Sequence, residues 1–186
     1  MRKLMVFNSV TVDGYFTGAN GDMSWAHRQD PEWNAYVEDN ARNESEMLFG
    51  RITYEMMASF WPTPQAIQMF PVVAEGMNRA PKVVFSRTLD KVSWSNARVV
   101  KDDPAGAVRK LKDAAGPTLL IMGSGTIVSQ LARQGLIDEY QIVVNPIVLG
   151  KGKTMFDGLE QKLALKQTRT RAFENGNVLL CYERQA

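Results

Sequence analysis

Hydrophobic residues along this chain fall into short apolar runs that alternate with segments of helical periodicity. The apolar runs predict strands at residues 2–12, 47–49, 81–86, 97–100, 118–122 and 137–149. Apolar positions on one face predict helices at residues 31–44, from 50 onward, within 72–79, from 102 onward and at 125–134. Because strands and helices alternate, we expect neighbouring strands to pair in parallel.

The last part of the chain carries a different pattern. Residues 163–173 and 177–183 are two strand-like runs, and residues 174–177 between them are typical of a hairpin turn. Antiparallel strands are therefore predicted there. The whole chain, residues 1–186, is predicted to be one α/β domain with a mixed, mainly parallel sheet flanked by helices and an antiparallel C-terminal hairpin. An irregular connection is predicted around the prolines Pro62, Pro64 and Pro71.

Composition indicates an ordinary soluble globular protein, with 45% hydrophobic and 23% charged residues. The net charge of +2 is too small to indicate a nucleic-acid partner. Cys181 is the single cysteine and lies in an apolar run, so a packed thiol and a reducing compartment are expected. The single histidine, His27, argues against a histidine-based metal site or a Ser-His-Asp triad. No run approaches the roughly 20 apolar residues of a membrane span, and residues 4–7 are too short for a signal-peptide core, so the cytoplasm is expected.

The predicted strand at residues 118–122 ends in Gly123 and Gly125, and a helical pattern starts at once. Glycines leave backbone N–H groups uncovered, and a helix N-terminus adds partial positive charge, so this turn suits a phosphate group. A tight strand-to-helix turn also needs glycine when no ligand binds. Val128 stands where the dinucleotide fingerprint has its third glycine, and the turn comes late in the chain, so an ordinary Rossmann domain is disfavoured.

Two other predicted strands end in residues that suit phosphate. After the strand at residues 47–49, the chain offers a glycine, a guanidinium and a hydroxyl, those of Gly50, Arg51 and Thr53. After the strand at residues 81–86, it offers a guanidinium between two hydroxyls, those of Ser86, Arg87 and Thr88. A surface arginine or a solvated loop explains each pattern taken alone. Because ligands bind at the carboxyl ends of strands in an α/β sheet, the three ends together favour a nucleotide, with the second set suited to the 2′-phosphate of NADP.

Residues 150–154 resemble the end of a P-loop. The glycine that this motif requires before Gly152 is absent, because Ile147 stands there. Residues 155–158 also do not continue as a helix, so we reject a kinase or NTPase interpretation.

The order of these motifs resembles the dihydrofolate reductase-like superfamily. Within it, the chain is most similar to the reductase domain at the C-terminus of the bifunctional riboflavin-biosynthesis protein and to standalone bacterial relatives of that domain. The segments that carry the resemblance span nearly the whole chain: residues 9–16, 50–54, 86–88, 123–126, 138–139 and 146–152.

The resemblance implies that NADPH binds across the sheet. The adenosine-side turn would comprise Gly50, Arg51, Thr53 and Tyr54. The residues around the 2′-phosphate would be Ser86, Arg87 and Thr88. The pyrophosphate would be held by Gly123, Ser124, Gly125, Thr126 and Ile127. A mobile loop near the nicotinamide would contain Asp13, Gly14 and Phe16.

The substrate side carries fewer signals. Asp13 is the candidate for a polar catalytic role, either as a substrate ligand or through water, although Asp-Gly is also an ordinary turn. Trp25 either lies over the substrate or acts as an aromatic lid that anchors its loop. Met122 departs from the acidic residue that riboflavin reductases commonly show before the glycine pair. Folate reductases carry an acidic pteridine-binding residue in the first helix, where this chain has Glu32, Glu38 and Asp39, and the sequence does not single out one of the three.

The leading hypothesis is an NADPH-dependent reductase that transfers hydride to a pterin-like or aminopyrimidine-ribose substrate. Reduction of dihydrofolate and a non-catalytic NADP-binding domain are the alternatives. The expected partners are a small-molecule substrate and a second copy of the chain in a homodimer, because the β-rich C-terminal region leaves strand edges to cover. No metal, nucleic acid or membrane partner is expected.

Overall fold

In the computed structural model, which describes residues 1–28 and 30–185, strands and helices alternate over most of the chain. The strands are β1 (Leu4–Thr11), β2 (Tyr15–Thr17), β3 (Ser45–Gly50), β4 (Lys82–Phe85), β5 (Ala97–Val100), β6 (Thr118–Met122), β7 (Glu139–Asn145), β8 (Lys153–Thr154), β9 (Leu165–Ala172) and β10 (Val178–Arg184). The helices are α1 (Pro31–Arg42), α2 (Arg51–Phe60), α3 (Pro64–Met69), α4 (Pro71–Arg79), α5 (Pro104–Asp113) and α6 (Gly125–Arg133).

Eight of these strands form one sheet in the order β5-β4-β3-β6-β1-β7-β10-β9. The strands from β5 to β7 in that order pair in parallel, whereas β10 is antiparallel to both β7 and β9. The predicted α/β domain with a mainly parallel mixed sheet and a C-terminal hairpin is therefore confirmed. The parallel part of the sheet includes β7, which runs parallel to β1, with Met5 opposite Glu139 and Thr11 opposite Asn145.

The predicted irregular connection around the three prolines is wrong at two of them. Pro64 and Pro71 each occupy the first turn of a helix, α3 and α4. Proline fits there because the N–H that it lacks would have no partner within the helix. The hydroxyl of Thr63 caps α3 by accepting the backbone N–H of Ala66 at 3.2 Å.

The two faces of the central strand β1 differ in burial. Leu4 and Val6 are fully buried in the core that α5 and α6 cover. Met5, Phe7 and Ser9 alternate with them on the opposite face and are only half-buried. β6 shows the same alternation. One face of the central strands is therefore a closed core, and the other stays partly open.

Two apolar clusters meet on this partly open face. Trp33 and Tyr36 of α1 pack in a cluster with Phe7, and Met122 packs with residues of α2 and α4 in a second cluster. Phe7 and Met122 lie opposite each other in the β1–β6 register, and both are half-buried. A strip of apolar surface between the clusters is thus accessible at the carboxyl end of β6; we call Phe7 and Met122 the apolar strip.

The last strand of the sheet, β9, is exposed along nearly its whole length. It is the kind of strand edge on which the expected homodimer depends. It carries Lys166, Arg169 and Arg171, which would repel one another if two such edges paired directly. The homodimer stays a prediction. None of the helices in the described ranges is long and apolar enough to span a bilayer.

Candidate functional site

The three strand ends singled out in the sequence are neighbours in the sheet. β3 lies between β4 and β6, and Gly50 at the end of β3 is opposite Phe85 at the end of β4. Because the three strands are parallel, their carboxyl ends share one edge of the sheet. The structure therefore brings together, at that edge, the segments that begin at Gly50, Ser86 and Gly123.

Hydrogen bonds join the turn after β3 to the turn after β6. The backbone N–H of Gly50 donates to Oγ of Ser124 at 2.9 Å, and the backbone N–H of Ser124 donates to Oγ1 of Thr53 at 3.0 Å. A Cβ on Gly123 would lie 2.8 Å from Cγ2 of Thr53, so only glycine fits this contact without a shift. The two turns form a single packed unit.

The turn after β6 has an unusual backbone. Gly123 and Ser124 both have positive φ, 65° and 55°. Serine in this left-handed region costs roughly 1–2 kcal/mol, so neighbouring groups must hold it there. Asn8 of β1 helps to stabilise this turn, since its Nδ2 donates to the Gly123 carbonyl at 3.0 Å and its Oδ1 accepts the Gly123 N–H.

Asn8 is a site residue that the sequence interpretation missed. It belongs to no motif, but it follows Leu4 and Val6 in the period-2 alternation of β1 and so falls on the buried face. A buried amide requires hydrogen-bond partners. A polar residue at an apolar strand position was therefore the signal that could have identified it.

Helix α6 begins directly after this turn, at Gly125. The backbone N–H groups of Ile127 and Val128 donate to the Ser124 carbonyl at 2.8 and 3.0 Å. Among the described residues, those of Gly125 and Thr126 donate to no protein acceptor. N–H groups without a protein acceptor at the positive end of a helix dipole suit an anionic group.

The space beside Gly125 is occupied by the protein itself. A Cβ at Gly125 would lie 2.6 Å from Cζ of Phe16, whose ring rests against the first residue of α6. Glycine at this position therefore allows β2 to approach the helix N-terminus. Phe16 and Gly125, predicted separately, are in contact in the structure.

Positive charge at this edge is supplied by two exposed arginines. Arg51, at the first position of α2, forms an ion pair with Glu55 at 3.0 Å. Arg87 is exposed in the turn after β4. That turn is closed by Ser86, whose Oγ accepts the N–H groups of Thr88 and Leu89 at 3.3 and 3.0 Å. The guanidinium of Arg87 is thus carried on a defined turn.

Tyr54 lies in the core and not on the surface of this edge. Its side chain is 3% exposed, and its hydroxyl accepts the backbone N–H groups of Ser93 and Trp94 at 3.1 and 3.0 Å. The ring presents no surface to a ligand. Tyr54 instead fixes the segment that connects β4 to β5.

Asp13 links two loops. Its carboxylate accepts the hydroxyl of Thr11 at 2.6 Å and the backbone N–H groups of Leu149 and Gly150 at 3.2 and 2.8 Å. The hydrogen bond from Thr11 above all, together with those from the two backbone groups, holds the pKa of Asp13 below its ordinary value. Asp13 is therefore an ionised acceptor that connects the loop after β1 to the loop after β7.

A short ribbon of β2 and β8 follows these two loops. Its strand Lys153–Thr154 takes the place of the helix that would follow a P-loop. Trp25 lies in a single helical turn, Ser24–Ala26, and its Nε1 donates to the Asp22 carbonyl at 3.2 Å. This bond fits the interpretation of Trp25 as an anchor of its own loop.

The parallel sheet with its antiparallel hairpin, and the strand ends that converge at one edge, define a protein with the dihydrofolate reductase-like fold. The chain belongs to the family of the RibD C-terminal domain, whose model matches residues 2–179. Membership of this family and the fold together support a reductase-type function.

Two Bacillus subtilis (strain 168) proteins are similar over nearly their whole length. Uncharacterized protein YyaP is 28% identical over 181 residues, which cover 97% of this chain and 94% of YyaP. Uncharacterized protein YwjB is 26% identical over 170 residues, which cover 90% of this chain and 91% of YwjB.

Two solved structures have the same fold. A Shewanella sp. PV-4 protein described as a riboflavin biosynthesis protein superposes with a TM-score of 0.75 at 23% identity, covering 99% of both chains. Dihydrofolate reductase from Enterococcus faecalis, complexed with NADP(H) and RAB-propyl, superposes with a TM-score of 0.66 at 14% identity, covering 99% of this chain and 97% of the reductase.

Proposed function

We propose that this protein is an NADPH-dependent reductase. The observation that carries the proposal is the convergence of the α6 N-terminus with two arginine-bearing turns at one edge of the sheet. The family and the fold favour a reductase. The chemistry of this edge favours a cofactor with several phosphate groups.

The groups at the edge fit the two charged parts of NADPH. The N–H groups of Gly125 and Thr126 suit the diphosphate, because they lie at a helix N-terminus and donate to no acceptor among the described residues. Arg87, between the hydroxyl-bearing Ser86 and Thr88, suits the 2′-phosphate, because a guanidinium fork matches phosphate oxygens.

Arg51 and Thr53 lie in the first turn of helix α2. This helix follows β3, which lies in the sheet between β4, the strand before Arg87, and β6, the strand before Gly125. Arg51 is exposed and supplies charge, and Thr53 fixes the Ser124 N–H. We assign both residues to the cofactor side. Gly50 and Gly123 act by allowing the two turns to pack together.

The nicotinamide ring and the heterocycle of the substrate are proposed to bind at the apolar strip. Met122 directly precedes Gly123, so the strip adjoins the diphosphate-binding turn. The ring of Phe7 is stacked with Trp33, their centroids 6.5 Å apart, and gives a flat apolar wall suited to a planar heterocycle. When bound, NADPH supplies a hydride from its nicotinamide ring.

In this arrangement Asp13 and Phe16 shape the nicotinamide side. Asp13 holds the loop after β1 to the loop after β7, and Phe16 places the ribbon against α6. Because both of its carboxylate oxygens accept hydrogen bonds from the protein, Asp13 serves as a fixed negative acceptor. The substrate class proposed is a pterin-like or aminopyrimidine-ribose compound.

Steady-state NADPH oxidation tests the proposal. The purified protein is assayed with dihydrofolate and with the ribosylated aminopyrimidine of riboflavin biosynthesis, and NADPH and NADH binding is measured in parallel by thermal shift. We expect stabilisation by NADPH and turnover with one of the two substrates. Stabilisation by neither nucleotide would refute the cofactor assignment. Binding of NADPH without turnover would favour the non-catalytic alternative, to which the apolar Met122 points.

A further inference from the structure

The side-chain amide of Asn8 lies where the turn after β6 meets the loop after β8. The residue is 4% exposed. Nδ2 donates to the Gly123 carbonyl at 3.0 Å and to Sδ of Met155 at 3.0 Å, and Oδ1 accepts the Gly123 N–H. Both amide hydrogens and the amide oxygen therefore have partners.

This bonding fixes the conformation of Gly123. Its N–H belongs to the peptide group before it and its carbonyl to the peptide group after it, so holding both fixes φ and ψ together. A glycine has the largest backbone freedom of any residue, and free rotation here would reorient everything that follows. The next groups along the chain are Ser124 and the N–H groups of Gly125 and Thr126, which donate to no described protein acceptor.

The same amide connects this turn to the ribbon. Met155 directly follows β8 and is 3% exposed. Phe16 of β2 makes the second contact, against Gly125. The ribbon is therefore connected to the turn indirectly, through Asn8, and to the start of α6 directly, through Phe16.

We propose that Asn8 is a positioning residue for the diphosphate side of the site. It preorganises the α6 N-terminus by fixing Gly123, and it links that geometry to the ribbon through Met155. The identity of the anion rests on the proposed function. The fixed conformation of Gly123 does not.

Asn8→Leu removes all three contacts and keeps the branching and the number of heavy atoms of the side chain. Asn145→Leu is the matched control, because Asn145 is also a fully buried strand amide that donates to two backbone carbonyls, those of Val10 and Val143, away from the turn. Amide hydrogen exchange is measured for residues 123–126 in both variants. We expect about tenfold or faster exchange at Gly123 and Ser124 in Asn8→Leu only. Unchanged exchange at these residues would overturn the proposal, whatever the ligand.

Ligand binding then separates positioning from general destabilisation. We expect Asn8→Leu to weaken NADPH by about 10- to 100-fold and adenosine 2′,5′-bisphosphate, which lacks the diphosphate bridge, by about threefold or less. If Asn8→Leu lowered the affinity for both ligands by the same factor, Asn8 would have only a structural role. If the wild-type protein binds neither ligand, the proposed function fails, and the exchange measurement still decides the role of Asn8.

Asn8→Asp is the second variant, which serves if the leucine variant does not fold. Its carboxylate keeps an acceptor for the Gly123 N–H but loses the donor to the Gly123 carbonyl, and the donor returns when the acid is protonated. We expect its affinity for NADP⁺, relative to wild type, to fall at neutral pH and to recover as the pH is lowered. A wild-type-to-variant affinity ratio that stays constant with pH would contradict the positioning role.

Discussion

The hydroxyl of Thr53 accepts the backbone N–H of Ser124 at 3.0 Å and thereby joins the first turn of α2 to the left-handed turn before α6. The two elements are separated by 71 positions in the chain but belong to neighbouring strand ends. Because Ser124 is in a costly conformation, this bond helps to maintain the turn before the N–H groups of Gly125 and Thr126, which donate to no described protein acceptor.

Thr53→Val keeps the methyl group beside Gly123 and removes the acceptor for Ser124. We expect NADPH affinity to fall about tenfold and the free energy of unfolding by about 1 kcal/mol, since one hydrogen bond is lost and a buried N–H is left unpaired. Isothermal titration calorimetry and urea unfolding measure the two effects. Thr53→Ser, which retains the hydroxyl, should stay close to wild type, and a serine variant as weak as the valine variant would contradict this explanation.

Arg87→Ala tests the assignment of the 2′-phosphate. We expect the Kd of NADPH to rise about 10- to 100-fold and that of NADH to change little, because only NADPH carries this phosphate. Arg79→Ala removes one exposed positive charge from the end of α4 and is the control for net charge. Equal weakening of NADPH and NADH, or an equal effect of Arg79→Ala, would defeat the assignment.

Lys82 predicts a pH dependence of stability that is separate from the site. Its ammonium is buried, donates to the carbonyls of Asn78, Ala80 and Ser95 at 3.2, 2.7 and 3.2 Å, and lies 4.3 Å from the centre of the Trp94 ring. Burial lowers the pKa of Lys82 from 10.5 to about 8.

Between these two pKa values the unfolded chain binds more protons at Lys82 than the folded chain does. The free energy of unfolding should therefore rise with pH through this window, relative to Lys82→Met, which cannot titrate. Chemical unfolding of both proteins across the window measures the difference. A difference that stays constant with pH would show that the three carbonyls and the indole ring hold Lys82 charged.

The sequence predicted the alternation of strands and helices and the convergence of three strand ends because both depend on local pattern and on the parallel sheet rule. It did not predict which strands are neighbours, for example that β7 pairs with β1, since a run of β-branched residues does not identify its partner strand. Pro64 and Pro71 were assigned to an irregular connection because proline interrupts a helix and also fits the first turn of one, and the sequence alone does not distinguish the two cases.

The candidate site shows the same limit at the level of side chains. The motif around Gly50 indicated a site but not that Tyr54 within it lies in the core, because its hydroxyl binds backbone groups 39 and 40 positions away. The partner of Asn8 could not be predicted for the same reason, since Gly123 lies 115 positions along the chain. Such contacts are set by tertiary packing, which local pattern does not encode.

Gly125→Ala tests the contact between β2 and α6. The new Cβ would lie 2.6 Å from the ring of Phe16, so the ring must move and the ribbon with it. We expect the free energy of unfolding to fall by about 1–3 kcal/mol. In a Phe16→Ala background the same change should cost little, and a double-mutant cycle by urea unfolding measures the coupling. Additive effects would show that the two residues do not interact.

Asp13→Asn tests whether the link between the loops after β1 and β7 matters for turnover. The amide can still accept hydrogen bonds but lacks the charge and the second acceptor that hold Leu149 and Gly150. We expect kcat to fall at least about tenfold while NADPH affinity stays within about twofold, because the link lies on the ribbon side and not at the arginines. Thr11→Val, which removes the hydroxyl that bonds to the Asp13 carboxylate, should reproduce part of the loss. Unchanged turnover in Asp13→Asn would remove this residue from the mechanism, whereas an equal loss of NADPH affinity would move it to the cofactor side.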